Sequence, residues 1–314
     1  MSFQSEKDKA LEAETLQSMP LNLGFEKHII QCCKQPEWIL RAFIKKICTR
    51  QGFTIIEDGY RSDRCNKDKR YESVHNMLCI RGNPKTCLVA HTDICRDHDA
   101  VRFHRDDYGK YGDLHHWMDD QDSTSTPIQV EPVIKSIVDD GGNMRRIIQD
   151  KACKLQVGGD DRLGVAINTN IAWNTGYDIA LLFVTDEEIG LRSSSACQFE
   201  ELKKFNLVVQ TDRGNHSNEL VVKIGGEILA DYDAIVRALD CAWRIGYPRN
   251  IVNGGSTDVR ALHSANKIGN CFNMTVGYHN SQGSNPTEYI DVQEAIEAMQ
   301  FVAEMVKDQE INGE

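Results

Sequence analysis

A three-layer α/β/α sandwich around a mainly parallel mixed sheet is the fold this sequence predicts, and three observations predict it. Short apolar runs alternate with segments of helical spacing, the pattern of strands joined by crossover helices. Several of those runs end in charged residues: Ile179 to Val184, Leu207 to Gln210 and Cys271 to Val276 each lead into Asp, Glu or His. With 40% hydrophobic and 26% charged residues, the composition matches a folded globular domain. The 314 residues suffice for one large domain with a sizeable core.

In chain order, Gly24 to Arg50 carries apolar residues at helical spacings on both sides of Pro36, which predicts two helices. Phe53 to Glu57 reads as a strand. Asn76 to Ile80, the turn Arg81 to Lys85, and Thr86 to Ala90 read as strand, turn and buried strand, the last ending at His91. The stretch at about 96–127 is rich in Asp, His and Tyr without periodicity and is expected to be a loop or small insertion; His98, His104, His115 and His116 within it read as loop surface. Helices are predicted at Leu163 to Trp173, Ser194 to Lys204 and Tyr232 to Gly246, between the three strands named above. One α/β domain over 20–307 follows, with 1–19 and 308–314 expected to be mobile.

Thirty-six Lys and Arg against forty-seven Asp and Glu give a net charge of −11, which opposes binding to nucleic acid or to an anionic membrane surface. No apolar run is long enough to span a bilayer, and the first twenty residues lack the apolar core of a secretion signal. A cytoplasmic location is therefore expected. The eleven cysteines include no CxxC pair, so reduced thiols are expected rather than a disulfide framework or a thiolate metal site.

Chemistry concentrates at the strand ends, and in open α/β sheets ligands bind outside the carboxyl ends of the strands. In His91-Thr92-Asp93, strand alternation puts Asp93 on the same side as His91, where it can orient the imidazole for a metal. Gly158-Gly159-Asp160-Asp161 turns sharply before a helix; Asp160 can bridge cations, and either aspartate can instead cap the helix. Adjacent Glu187 and Glu188 raise each other's pKa unless a cation or helix terminus is near. The natural division makes Glu188 a metal ligand and Glu187 a general base, the alternative being a solvated pair. Asp212 ends another strand as a further ligand or as an ion-pair partner of Arg213, and His279 lies upstream of Glu288-Tyr289-Ile290.

The order of these blocks, His-x-Asp, Gly-x-Asp-Asp, Glu-Glu-x-Gly, Asp, then His with a downstream Glu-Tyr-Ile, resembles the two-zinc exopeptidases, the superfamily that includes peptidase T, carboxypeptidase G, the aminoacylases and the glutamyl aminopeptidases. The likeness runs from Asn76 to Val292, and Gly254-Gly255-Ser256-Thr257-Asp258-Val259-Arg260 is similar to the glycine-rich substrate loop of that group. The resemblance implies one metal held by His91, Asp160 and Asp212 and a second by Asp160, Glu188 and His279, with Glu187 as general base and Asp93 behind His91. Gly255, Thr257, Asp258 and Arg260 then contact substrate. Two divalent ions are implied, zinc by the ligand mixture, with manganese or cobalt as alternatives.

The implied activity is hydrolysis of amide bonds in short peptides, as an aminopeptidase or dipeptidase. An N-acyl amino acid amidohydrolase and a non-catalytic relative acting as a scaffold are the alternatives, and a homo-oligomer is compatible with each. Two departures from the pattern stand out. Asp212 to Gly254 is too short for the lid or dimerisation domain that many relatives carry there, so His216, His263 or Arg260 would have to replace its transition-state donor. Asn280 to Pro286 lengthens the link from His279 to the acid that follows, which leaves His263 as the fallback ligand.

Overall fold

A computed structural model describes residues 24–62, 64, 71, 74–94, 130–139, 141–215, 218–265, 267–281 and 285–313. The helices are α1 (Phe25–Lys34), α2 (Glu37–Arg50), α3 (Gly159–Asn174), α4 (Arg192–Ala196), α5 (Tyr232–Arg244), α6 (Asp258–Ser264) and α7 (Val292–Asn312). The strands are β1 (Thr54–Glu57), β2 (Met77–Arg81), β3 (Thr86–His91), β4 (Pro132–Val138), β5 (Met144–Asp150), β6 (Ile179–Val184), β7 (Leu207–Arg213), β8 (Glu219–Ile224), β9 (Glu227–Ile228), β10 (Asn250–Gly254), β11 (Cys271–Thr275), β12 (Tyr278–His279) and β13 (Tyr289–Asp291).

Strands β1-β2-β6-β3-β7-β11-β8-β10 form the main sheet, with β9 paired to β8. The central pairs β6–β3, β3–β7 and β7–β11 are parallel, whereas β1, β2 and the β11–β8 contact are antiparallel. Period-two burial divides each central strand between two cores. Leu88, Ala90, Leu181 and Phe183 pack beneath α1, α2, α3, α5 and α7, and Cys87, Val89, Ala180 and Leu182 pack against α6 and the 192–205 segment. That is the three-layer sandwich the alternation predicts. Burying each such Leu or Phe contributes roughly 1.5–3 kcal/mol.

A smaller sheet, β12-β13-β5-β4, packs beside α3 and α7. The sequence reading missed its β4–β5 hairpin, because β4 buries residues only partially and β5 begins with the exposed run Met144, Arg145, Arg146. The expected helix from Ser194 to Lys204 is two pieces, α4 and a 3-10 turn at Glu200–Lys204. Residues expected to form a mobile tail from 308 onward instead continue α7 to Asn312. Asp308 there is bonded to Arg237 and Arg244 of α5. The segment at about 96–127 and His216 lie outside the described residues. Among the described residues, no helix is long and apolar enough to cross a membrane.

Candidate metal centre

Register builds the site. His91 ends β3 opposite Val184 of β6, and Val89 stands opposite Gln210 of β7, so continuing each strand sets His91 between the 185–188 loop and Asp212. The imidazole is fully buried. Its Nδ1 lies 2.8 Å from the carbonyl of Asp93, and its Nε2 lies 3.1 Å from Asp160 Oδ1 and 3.6 Å from Asp212 Oδ1. An Nδ1–H directed at a carbonyl leaves Nε2 as the ligating atom.

The Asp93 carboxylate stands beside the imidazole and also holds the loop beyond it. Its nearer approach to Nδ1 is 3.6 Å, and it accepts the backbone N–H groups of Glu187 and Glu188 at 3.3 Å each. It therefore fixes the loop that presents both glutamates. The other side of that loop is anchored by charge. Asp186, at φ +54°, accepts from Arg64, Ser62 and Tyr60, while Arg64 also pairs with the buried Glu37 of α2 at 2.8 Å. Thr92 and Thr185 both donate to Glu37.

At the turn before α3, the capping reading of the paired aspartates holds for Asp161. Asp161 accepts the Gly164 N–H at 3.1 Å and the His91 N–H at 3.2 Å, so it caps the helix and ties it to β3. Asp160 points outward to His91. Gly158 makes the turn at φ +87°, a conformation that costs a side-chain-bearing residue about 1–2 kcal/mol. Glu288, wholly buried, accepts the N–H groups of Gly158 at 2.6 Å and Asp160 at 3.2 Å and so clamps the turn from below.

Gln210 was missed by sequence reasoning, although it lies two residues before Asp212 and therefore on the same face of β7. Its amide nitrogen donates to Asp212 at 2.9 Å and to Asp258 at 3.0 Å; its oxygen accepts from the Thr257 hydroxyl and the Val259 N–H. Gln210 thus joins the 254–260 loop to β7. Tyr278, also missed, donates to Asp212 Oδ1 at 3.1 Å.

Positions in this arrangement differ from those the resemblance implied in two respects. His279 bonds Glu294 at 2.9 Å through Nε2 and stacks on Tyr289 with ring centroids 4.9 Å apart. It joins neither of the residue groups close enough to share a cation, His91/Asp160/Glu188 and His91/Asp161/Asp212. The physical reason is strand alternation: Tyr278 and His279 are consecutive on β12, so one faces Asp212 and the other faces α7. His263, the fallback, bonds Glu227 at 2.7 Å. Within the 254–260 segment, Gly254, Gly255 and Ser256 line the cavity beside the acids, Thr257 and Asp258 are buried under it, and Arg260 turns to Glu227. Arg213 pairs with Glu219 rather than Asp212.

Electrostatically the centre is an excess of acid around one imidazole. Burial pushes Glu187 up to about 10, with Asp212, Asp258 and Asp160 adding to the rise and His91 opposing it. Asp212 is raised to about 7 by burial and by Asp160, and Asp258 to about 6 by burial and Asp93. Burial opposes charge on His91, yet Asp212, Asp160 and Asp93 lift its pKa well above the usual value. Asp258 Oδ1 is buried with no hydrogen-bond donor. A donor set of one imidazole and several carboxylates, short of positive charge, fits a divalent cation.

No family model and no curated protein matches the sequence. Solved structures do. The aminopeptidase PepT of Bacillus cereus superposes with a TM-score of 0.60 at 14% identity, over 90% of this chain and 97% of that one. A TET aminopeptidase from a marine sediment thaumarchaeon gives 0.60 at 11% identity, over 92% and 98%. The TET1 peptidase of Pyrococcus horikoshii, which assembles into a tetrahedron or a large octahedral shell, gives 0.53 at 13% identity, over 94% and 99%. The chain therefore shares the fold of these peptidases.

Proposed function

We propose that this protein is a metal-dependent aminopeptidase acting on short peptides. The observation that carries the reading is the convergence of His91, Asp160, Glu188 and Asp212 from separate elements, with Glu187 beside them on the cavity wall. His91, Asp160 and Asp212 would hold one divalent ion, and Asp160 and Glu188 would meet a second. A divalent ion bound there polarises the scissile carbonyl and makes water a nucleophile at neutral pH. Glu187, on the cavity wall beside those residues, would take the proton from the attacking water and return it to the departing amine.

Cavity chemistry favours a free amino end. The space is about 330 Å³, near the small end of ligand pockets, as a short peptide requires. Asp160, Glu187 and Asp212 line it, and the arginine among its described lining residues, Arg213, is bonded to Glu219. An acidic wall attracts an ammonium and repels a terminal carboxylate. This supports peptides with an unblocked amino terminus over N-acyl amino acids. Assembly of P. horikoshii TET1 into shells supports a homo-oligomer here.

The test is Glu187→Gln, assayed on tripeptides and their N-acetylated forms in metal-replete buffer. The variant should keep its metal while kcat falls by roughly 10²–10⁴-fold, and the wild type should prefer the free amino terminus. Unchanged turnover in the variant would remove Glu187 as the base. A preference for acylated substrates would favour the amidohydrolase alternative.

A further inference from the structure

We infer that this chain self-associates through the outer edge of β4, which pairs antiparallel with β4 of a second copy about a two-fold axis at Ser136. This rests on the homo-oligomer proposed above, for which it supplies the interface, and not on the proposed activity.

Strand β4 ends the smaller sheet, pairing with β5 on one side and, among the described residues, with no strand on the other. At the two ends of that ladder the Asp139 N–H donates to the Asn143 carbonyl and the Lys151 N–H to the Glu131 carbonyl. The odd-numbered residues of β4 therefore bond β5, and the N–H and C=O groups of Ile134, Ser136 and Val138 point away from it. Such a row is a template for another strand unless something blunts it. The other sheet edges are blunted. Strand β1 has four residues and ends in Glu57, paired with Lys45; β10 breaks register between Val252 and Asn253; β12 has two residues. By contrast, β4 runs for seven residues in unbroken register. Its proline stands at the first position, and the ammonium of Lys135 is turned back onto Gln149 and the Asp150 carbonyl.

What this edge fits is itself. An axis at Ser136 sets Ser136 opposite the partner's Ser136 and Ile134 opposite the partner's Val138, so every outward N–H of these residues meets an outward C=O. Moving the axis to Lys135 would oppose two like charges and set Pro132, which has no N–H, against Val138. Moving it to Ile137 would carry Ile134 past the end of the strand. Side chains agree with the first register. Across the hairpin Val138 stands beside Met144, 64% and 71% exposed, and Ile134 beside Ile148, which is buried in the core. Pairing two copies aligns Met144, Val138, the partner's Ile134 and the partner's Ile148 in one row, so the exposed apolar tip of each hairpin continues the core of the other. In the row between, serine meets serine and Arg146 is already neutralised by Glu26. A second copy matches this edge in bonding, charge and apolar surface at one register, which an unrelated peptide has no reason to do.

The experiment is sedimentation velocity of the full chain from about 1 to 100 μM, since one strand pair lies at the weak, dissociable end of interface sizes. The wild type should pass from monomer to dimer as concentration rises, and Val138→Asp, which changes an exposed side chain, should stay monomeric with unchanged circular dichroism. A wild type that stays monomeric would overturn the inference together with the homo-oligomer; an oligomer that survives Val138→Asp would overturn the inference alone. Register is read by cross-linking in a Cys153→Ser background, which removes the exposed native thiol among the described residues. Opposed residues of a bonded pair have Cα atoms about 5.5 Å apart, within disulfide reach. Ser136→Cys should therefore link two chains under mild oxidation, and Val138→Cys, four residues out of register with its own copy, should not. Equal linking by both, or none by Ser136→Cys, would overturn the inference even where Val138→Asp fails to fold. A dimer of this kind without any peptidase activity would refute the proposed function and leave this inference standing.

Discussion

Single residues here divide into those that carry charge for the site and those that keep it in place. His28 belongs to neither group and shows how burial alone acts. Only 2% exposed, it bonds Thr169 at 2.8 Å and packs on Trp173, and burial lowers its pKa to about 4. Below the unfolded value near 6.5 the unfolded chain takes up a proton that the folded chain refuses. Stability is therefore lost as pH falls from about 6.5 to about 4, by roughly 3 kcal/mol in total. Urea unfolding of His28→Gln across that range should show a correspondingly flatter pH dependence. Gln210→Leu should destabilise by roughly 1–3 kcal/mol, because it strips a donor from the buried Asp212 and Asp258 together. Chemical denaturation measures that loss, and a change below about 0.5 kcal/mol would show that the hub is dispensable. The sequence marked His91 and Asp212 as polar ends of apolar strands, and Asp160 and Glu188 as members of acidic pairs at turns. It did not reveal Gln210, since an uncharged amide inside a strand gives no contrast. His279 misled because a two-residue strand leaves open which of its neighbours faces inward.

At the level of elements, the loops after β6 and before α3 matter most. The 185–188 loop is held by Asp93 on one side and by Arg64 and Glu37 on the other, so its glutamates are presented by a rigid base. The turn at Gly158 is held by Glu288 beneath and by its own left-handed backbone. Gly158→Ala should cost about 1–2 kcal/mol and weaken zinc binding through a displaced Asp160; thermal unfolding with and without zinc separates the two effects. Equal unfolding temperatures for the variant and the wild type would contradict the strain argument. Strands β3, β6 and β7 and helix α3 were readable because they are largely buried, and α5 because its apolar residues recur on one face. The β4–β5 hairpin was not, because exposed apolar residues such as Val138 and Met144 blur its alternation.

For the whole molecule, the sandwich is a device for bringing distant segments to one edge of a sheet. Parallel strands β3, β6 and β7 end together, so residues far apart in sequence meet without any of their side chains crossing the core. The cost is a pocket of acids with one imidazole among the described residues, which a cation bound there would offset. Chelation should therefore lower global stability: at free zinc about 100 times Kd the ion contributes roughly 2.7 kcal/mol. Anomalous diffraction at the zinc edge, on crystals of the zinc-loaded protein, tests the central claim most directly. The account predicts a peak within bonding distance of His91 Nε2, Asp160 and Asp212, with no peak of comparable height at His279; a dominant peak elsewhere, or none in this pocket, would contradict it.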